Sequence, residues 1–150
     1  MSASITFDDS LWPMLIIRFS GMPSMEQVEE YLARRLEYMR REEPHVILYD
    51  TRQARLLPTE LRQRHVDWMR EHKELRELTV RGNALILTSP FLQLTLHVVI
   101  HMWPTQVPYR VVTHESAAAA WCADRLQGLG LPEAATRIRH HYRLPEPPSP

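Results

Sequence analysis

The amino-acid sequence predicts an α/β domain: one mixed, mostly parallel sheet that opens with an antiparallel hairpin and carries packed helices. Three features predict it. Short runs of β-branched and aromatic residues alternate with longer stretches of helical periodicity, the pattern of strand–helix–strand units. The first two apolar runs follow each other with only a turn between them, so a hairpin precedes the alternation. The chain has 150 residues, 44% of them hydrophobic, the size of one domain with one core.

Residues 5–7 and 14–19 read as the hairpin strands, with Asp8-Asp9-Ser10 as the turn, and Gly21 and Pro23 end the pair. Ser24-Met25-Glu26-Gln27 has the form of a capping box, in which hydroxyl and amide satisfy free backbone N–H groups at a helix start. Met25, Val28, Leu32, Leu36 and Met39 recur on one face of the helix that follows. Glu30 with Arg34 and Glu37 with Arg41 lie four apart on its solvated side. Pro44 stops this helix, and residues 45–49 form a buried central strand ending at Asp50. A second helix begins at Thr59, whose hydroxyl caps it, and runs to about Leu75. Residues 83–88 are the next strand. Ser89-Pro90 opens a third helix that continues to Trp103, since Ser caps and Pro at the first helical position loses no useful donor. Residues 109–113 are the last strand and 115–127 a helix closed by Gly128 and Gly130, with a short helix over 132–142. Residues 1–130 thus form the domain, 131–144 a C-terminal helical extension and 145–150 a flexible proline-rich tail.

Eighteen Lys plus Arg balance 18 Asp plus Glu, so no global field draws nucleic acid. The single cysteine, Cys122, excludes an internal disulfide and suits a reducing compartment. The first residues lack the basic and apolar regions of a secretory signal, which points to the cytoplasm. The most apolar stretch, 91–103, is interrupted by Gln93, His97 and His101 and falls short of the roughly 20 residues that span a bilayer.

Four stretches carry a likeness over residues 5–127. The hairpin leads to Phe19-Ser20-Gly21, a buried strand ends in Tyr49-Asp50, the second helix bears Trp68 and His72, and residues 115–121 read Glu-Ser-Ala-Ala-Ala-Ala-Trp. Together they resemble the STAS/SpoIIAA-like superfamily, the fold of bacterial anti-sigma-factor antagonists, and in particular its divergent SpoIIAA-like branch. The resemblance implies a non-enzymatic domain that works through protein contacts, sometimes switched by phosphorylation, or in the divergent branch through apolar ligands or membrane surfaces. The antagonists carry an Asp-Ser-Ser-Gly-like sequence at the start of the second helix, with the first serine phosphorylated. Here that stretch reads Pro58-Thr59-Glu60-Leu61, which keeps only the hydroxyl and sets a repelling carboxylate beside it.

No Gly-x-Ser-x-Gly elbow, phosphate loop or dinucleotide fingerprint occurs, and no catalytic, cofactor-binding or metal site is assigned. His97 and His101 share a helix face at zinc spacing, but Val98 stands where a zincin needs Glu and no third ligand is local. His65 and His72 join Leu61, Trp68 and Leu75 on the core-facing stripe of the second helix, either as satisfied core-edge histidines or as groups titrating near neutral pH. His140-His141 is expected at the surface. Asp50-Thr51-Arg52-Gln53 lies at the carboxyl end of a parallel strand, where open α/β sheets bind ligands, although Asp50 is equally a turn former.

The function expected from these residues is a regulatory or scaffolding protein-interaction module, the alternative being an apolar-ligand or peripheral membrane binder. The interaction candidates are Asp50, Thr51, Arg52, Thr59, His65, His72, Phe91, His97, His101 and Trp103. The third helix is apolar nearly all round, so a homo-oligomer formed through it is expected unless residues 132–142 fold back over it.

Overall fold

The structure is a computed structural model that describes residues 3–102 and 106–146. Its elements are β1 (Ser4–Leu11), β2 (Met14–Gly21), α1 (Met25–Arg40), β3 (His45–Ala54), α2 (Thr59–Glu71), α3 (Lys73–Thr79), β4 (Val80–Ile86), α4 (Pro90–Met102), β5 (Tyr109–Val112), α5 (Glu115–Gly128) and α6 (Pro132–His141). The five strands lie side by side in chain order. β1 is antiparallel to β2 and every other neighbouring pair is parallel, the predicted mixed sheet.

Alternation along the strands gives the sheet two covered faces. Met14 and Ile16, Val46 and Leu48, and Ala84 and Ile86 meet Ala118, Ala119, Cys122 and Ala123 of α5 and Ile138 of α6. Leu15, Ile17 and Ile47 point the other way, onto Val28, Tyr31 and Leu32 of α1 and Leu61 and Trp68 of α2. Helix α6, expected as an extension, contributes Ala134, Ala135 and Ile138 to the first of these clusters. The capping box forms as expected, with Ser24 Oγ accepting from the Gln27 N–H and Gln27 Oε1 from the Ser24 N–H. Ser89 Oγ accepts from the Leu92 N–H at the opening of α4.

Four boundaries differ from expectation. Asp8-Asp9-Ser10 is not the hairpin turn. The Asp8 carboxylate accepts the Ser10 N–H at 2.9 Å inside β1, where the register shifts, so this turn chemistry makes an irregularity within the strand. The chain reverses at Trp12–Pro13 instead. Asp50, Thr51 and Arg52 belong to β3, which continues to Ala54 while β2 runs beside it to Gly21. Thr59 does not cap α2. Pro58 holds the N-cap position with extended backbone, which puts Thr59 inside the first turn, where its hydroxyl cannot reach back to an orphan N–H. The single helix expected from Thr59 to Leu75 is two, divided at His72, and the second delivers the chain to β4 at Val80, three residues ahead of the predicted start.

Candidate functional site

Strand parity and register build a polar cluster at the carboxyl end of the parallel strands. Arg18 continues the Met14–Ile16 row of β2, and Asp50 and Arg52 continue the Val46–Leu48 row of β3, so all three point to the α5 side. Arg18 and Asp50 are direct partners across the ladder. Glu115, the first residue of α5, completes the group. Arg18 Nη1 donates to Asp50 Oδ2 and to Glu115 Oε1, both at 2.7 Å, and Nη2 donates to Glu115 Oε2 at 3.1 Å. Arg52 donates from Nε to Asp50 Oδ1 and from Nη2 to Asp50 Oδ2, both at 2.9 Å, and from Nη2 to Glu115 Oε1 at 3.1 Å. The Tyr142 hydroxyl, just beyond α6, donates to Glu115 Oε2 at 2.9 Å.

Two arginines and two carboxylates therefore alternate in a closed ring, with all four carboxylate oxygens occupied. Hydrogen bonds from Arg52, then from Arg18, hold the Asp50 carboxyl down at about 2, and Arg18 lowers that of Glu115. Both acids stay ionised at neutral pH. Thr51, between Asp50 and Arg52, faces the opposite side and donates its hydroxyl to the Ile86 carbonyl of β4 at 2.6 Å.

The loop after β3 leads to Thr59 and Glu60, both exposed at the start of α2. The Thr59 hydroxyl accepts from Arg62 Nη2 at 3.1 Å. His65 lies on the inner side of α2, as expected, whereas His72 stands just past its end, between α2 and α3. His65 packs against Tyr31 at 5.3 Å between ring centroids, and His72 against Trp68 at 5.2 Å. Burial, with the nearby Arg35 charge, pushes His65 down to about 4, so it is neutral at physiological pH. Phe91 is exposed on α4, far along the chain from the ring, and His97 is exposed on the same helix. The His101 side chain and Trp103 lie outside the described residues. His140 and His141 are exposed, as expected. Among the described residues no three His, Cys, Asp or Glu side chains converge as metal ligands.

Three residues of this cluster were not legible as site residues. Arg18 sits in an apolar strand, Glu115 stood out only through the resemblance, and Tyr142 joins from 27 residues beyond Glu115. Strand parity was the available signal for Arg18. Arg35 was also missed. Only 5% exposed, it lies between α1 and the sheet with its Cζ 4.9, 5.7 and 5.9 Å from the ring centroids of Trp68, Tyr49 and Tyr31. Among the described residues no carboxylate pairs with it, and aromatic faces supply its attraction.

No family model and no curated protein matches the sequence. Solved structures do match. A protein of the DUF3478 family with a SpoIIAA-like fold, from Shewanella loihica PV-4, superposes with a TM-score of 0.63 at 15% identity, over 81% of this chain and 94% of that one. An anti-sigma factor antagonist from Mycobacterium paratuberculosis gives 0.52 at 12% identity, over 81% and 94%. The anti-sigma factor antagonist SpoIIAA in its unphosphorylated form gives 0.55 at 18% identity, over 83% and 99%. The hairpin opening, the parallel strands that follow it and the helices on both faces are thus a known architecture: the chain is a domain of the STAS/SpoIIAA-like fold.

Proposed function

We propose that the chain is a non-enzymatic regulatory or scaffolding module that binds a protein partner at the carboxyl edge of its sheet, through the loop at 55–58, Thr59 and the outer side of Arg52. The observation that carries this reading is the closed ring of Arg18, Asp50, Arg52 and Glu115. Open α/β sheets do their ligand chemistry at this edge. Here its charged groups are spent on one another, with both acids locked ionised, so neither exchanges a proton near neutral pH. His65 is neutral and packed under Tyr31. Cys122 is fully buried, and burial pushes its thiol up, which suppresses the nucleophilic thiolate. What the edge offers instead is a rigid base under exposed polar side chains, a contact surface. Two of the solved structures of like fold are anti-sigma factor antagonists, named for acting against another protein. The same reading places the domain in a reducing compartment, the cytoplasm, where a free Cys122 is at home. Among the described residues no helix is long and apolar enough to cross a membrane.

A photo-crosslinking amino acid placed at Arg55, and as a control at the exposed Glu37 on α1, tests the reading in cells. A protein crosslinked from position 55 alone is expected to bind the purified wild-type chain without being chemically altered. Arg55→Glu is expected to weaken that binding by about tenfold, some 1.4 kcal/mol. Turnover of the bound molecule, or binding indifferent to Arg55→Glu and Thr59→Arg together, would sink the proposal.

A further inference from the structure

Helix α4 stands apart from the other helices. The chain is 24% charged, yet the 13 residues of α4 include no Asp, Glu, Lys or Arg. Phe91, Leu94 and Val98, spaced three and four apart, form one stripe along it and are 62, 63 and 52% exposed. The segment expected as the alternative cover is engaged elsewhere: Ala134, Ala135 and Ile138 of α6 are buried with α5. The exposure also extends past the helix. Of the six exposed large apolar side chains among the described residues, five lie on α3, α4 and β5, namely Leu78, Phe91, Leu94, Val98 and Tyr109. α3 leads into β4, α4 connects β4 to β5, and β5 is an edge strand hydrogen-bonded to β4.

We infer that this face is covered by a second copy of the chain, with α4 packed on its counterpart about a twofold axis. The charge pattern selects this occupant. In a twofold contact every residue near the axis meets its own kind, so any charge there would face a like charge. A stripe without charges satisfies that condition. An acidic or basic partner would find no complementary group on it. A lipid surface is recognised by interfacial helices that carry Lys or Arg on their polar side, and here the polar positions of the sequence are Gln93, Thr95, His97 and His101 on a chain of net charge zero. This inference is independent of the partner-binding edge proposed above, because it uses none of the residues 50–60.

Sedimentation of the full chain at micromolar concentration is expected to give the mass of a dimer. Leu94→Glu and Leu94→Lys, each placing like charges across the axis, are expected to halve that mass separately, and an equimolar mixture of the two is expected to restore the dimer. Circular dichroism checks that each variant folds, and Val98→Glu serves as a second probe if position 94 does not tolerate the change. A monomeric wild type, a dimer unmoved by folded Leu94→Glu and Val98→Glu, or a mixture that stays monomeric would each overturn the inference. So would a wild type that floats with neutral phosphatidylcholine vesicles through the same residues, which would make lipid the cover.

Discussion

Beneath α5 the sheet is covered by Ala118, Ala119, Cys122 and Ala123, whereas beneath α1 and α2 it is covered by Tyr31, Arg35, Tyr38, His65 and Trp68. On the first face small side chains let the helix lie close to the strands. Gly82 extends that economy, since a Cβ there would stand 3.1 and 3.2 Å from Trp121 ring atoms. At the carboxyl edge of this face charge is gathered in a ring of matched ion pairs. On the second face the gap is wider and filled by rings, and one guanidinium is buried among them with π faces around it. One sheet is thus closed by close approach on one side and by bulky fill on the other. The two sides should therefore fail under opposite kinds of substitution.

The largest effect is expected from removing bulk on the aromatic side. Trp68→Ala deletes a side chain 3% exposed that also faces Arg35, and it should cost about 3–5 kcal/mol, read as a lowered urea midpoint. On the small-residue side the sensitive change is the reverse. Gly82→Ala should cost about 1–3 kcal/mol by crowding the Trp121 ring, which packs against β4 there, although it only adds a methyl group. A Gly82→Ala protein as stable as wild type would show that the close approach is not tight.

Acid should separate the two faces by pH. His45 and His65, both on the aromatic side, are pushed by burial from an ordinary 6.5 to about 4. The unfolded chain binds their protons first, so stability should fall as pH drops from about 6.5 to 4. Asp50, in the ring, is lowered from 3.8 to about 2, so its contribution is present above about pH 4 and is lost between 4 and 2. Unfolding measured across this range should lose about half of its upper limb in His65→Phe, His45 keeping the rest, and its lower limb in Asp50→Asn. A single limb that neither variant moves would dissolve the distinction.

The smallest effects compare two helix starts. Ser24→Ala removes a completed capping box and should cost about 1 kcal/mol. Thr59→Ala removes a hydroxyl that caps nothing and should leave the thermal midpoint almost unchanged.

Local chemistry made much of this molecule readable from residues alone. Ser24 and Gln27 close a helix start within four residues, Ser89-Pro90 opens another, and the alternation of apolar runs fixes a mixed sheet, because each depends on groups adjacent in the chain or at a helix or strand period. Trp68 was readable as core for the same reason. What the sequence could not decide were outcomes of distant parts meeting. Asp8-Asp9-Ser10 has the composition of a turn, but the pairing of β1 with β2 continues past it to Leu11. His72 divides a helix that its neighbours would have continued, without Gly or Pro to mark the place. Arg35 reads as one more charge on a charged helix until Trp68 of α2 and Tyr49 of β3 join Tyr31, one turn back on its own helix, to surround it. The ring needs Arg18, Asp50 and Glu115, 32 and 97 residues apart by way of Arg18, to be brought together by register. Sequence determines what each segment prefers, because those preferences are short-range. Tertiary structure decides which charges find partners far along the chain, because Arg18 meets Glu115, and Arg35 meets Trp68, only where distant segments come within a few ångströms of each other.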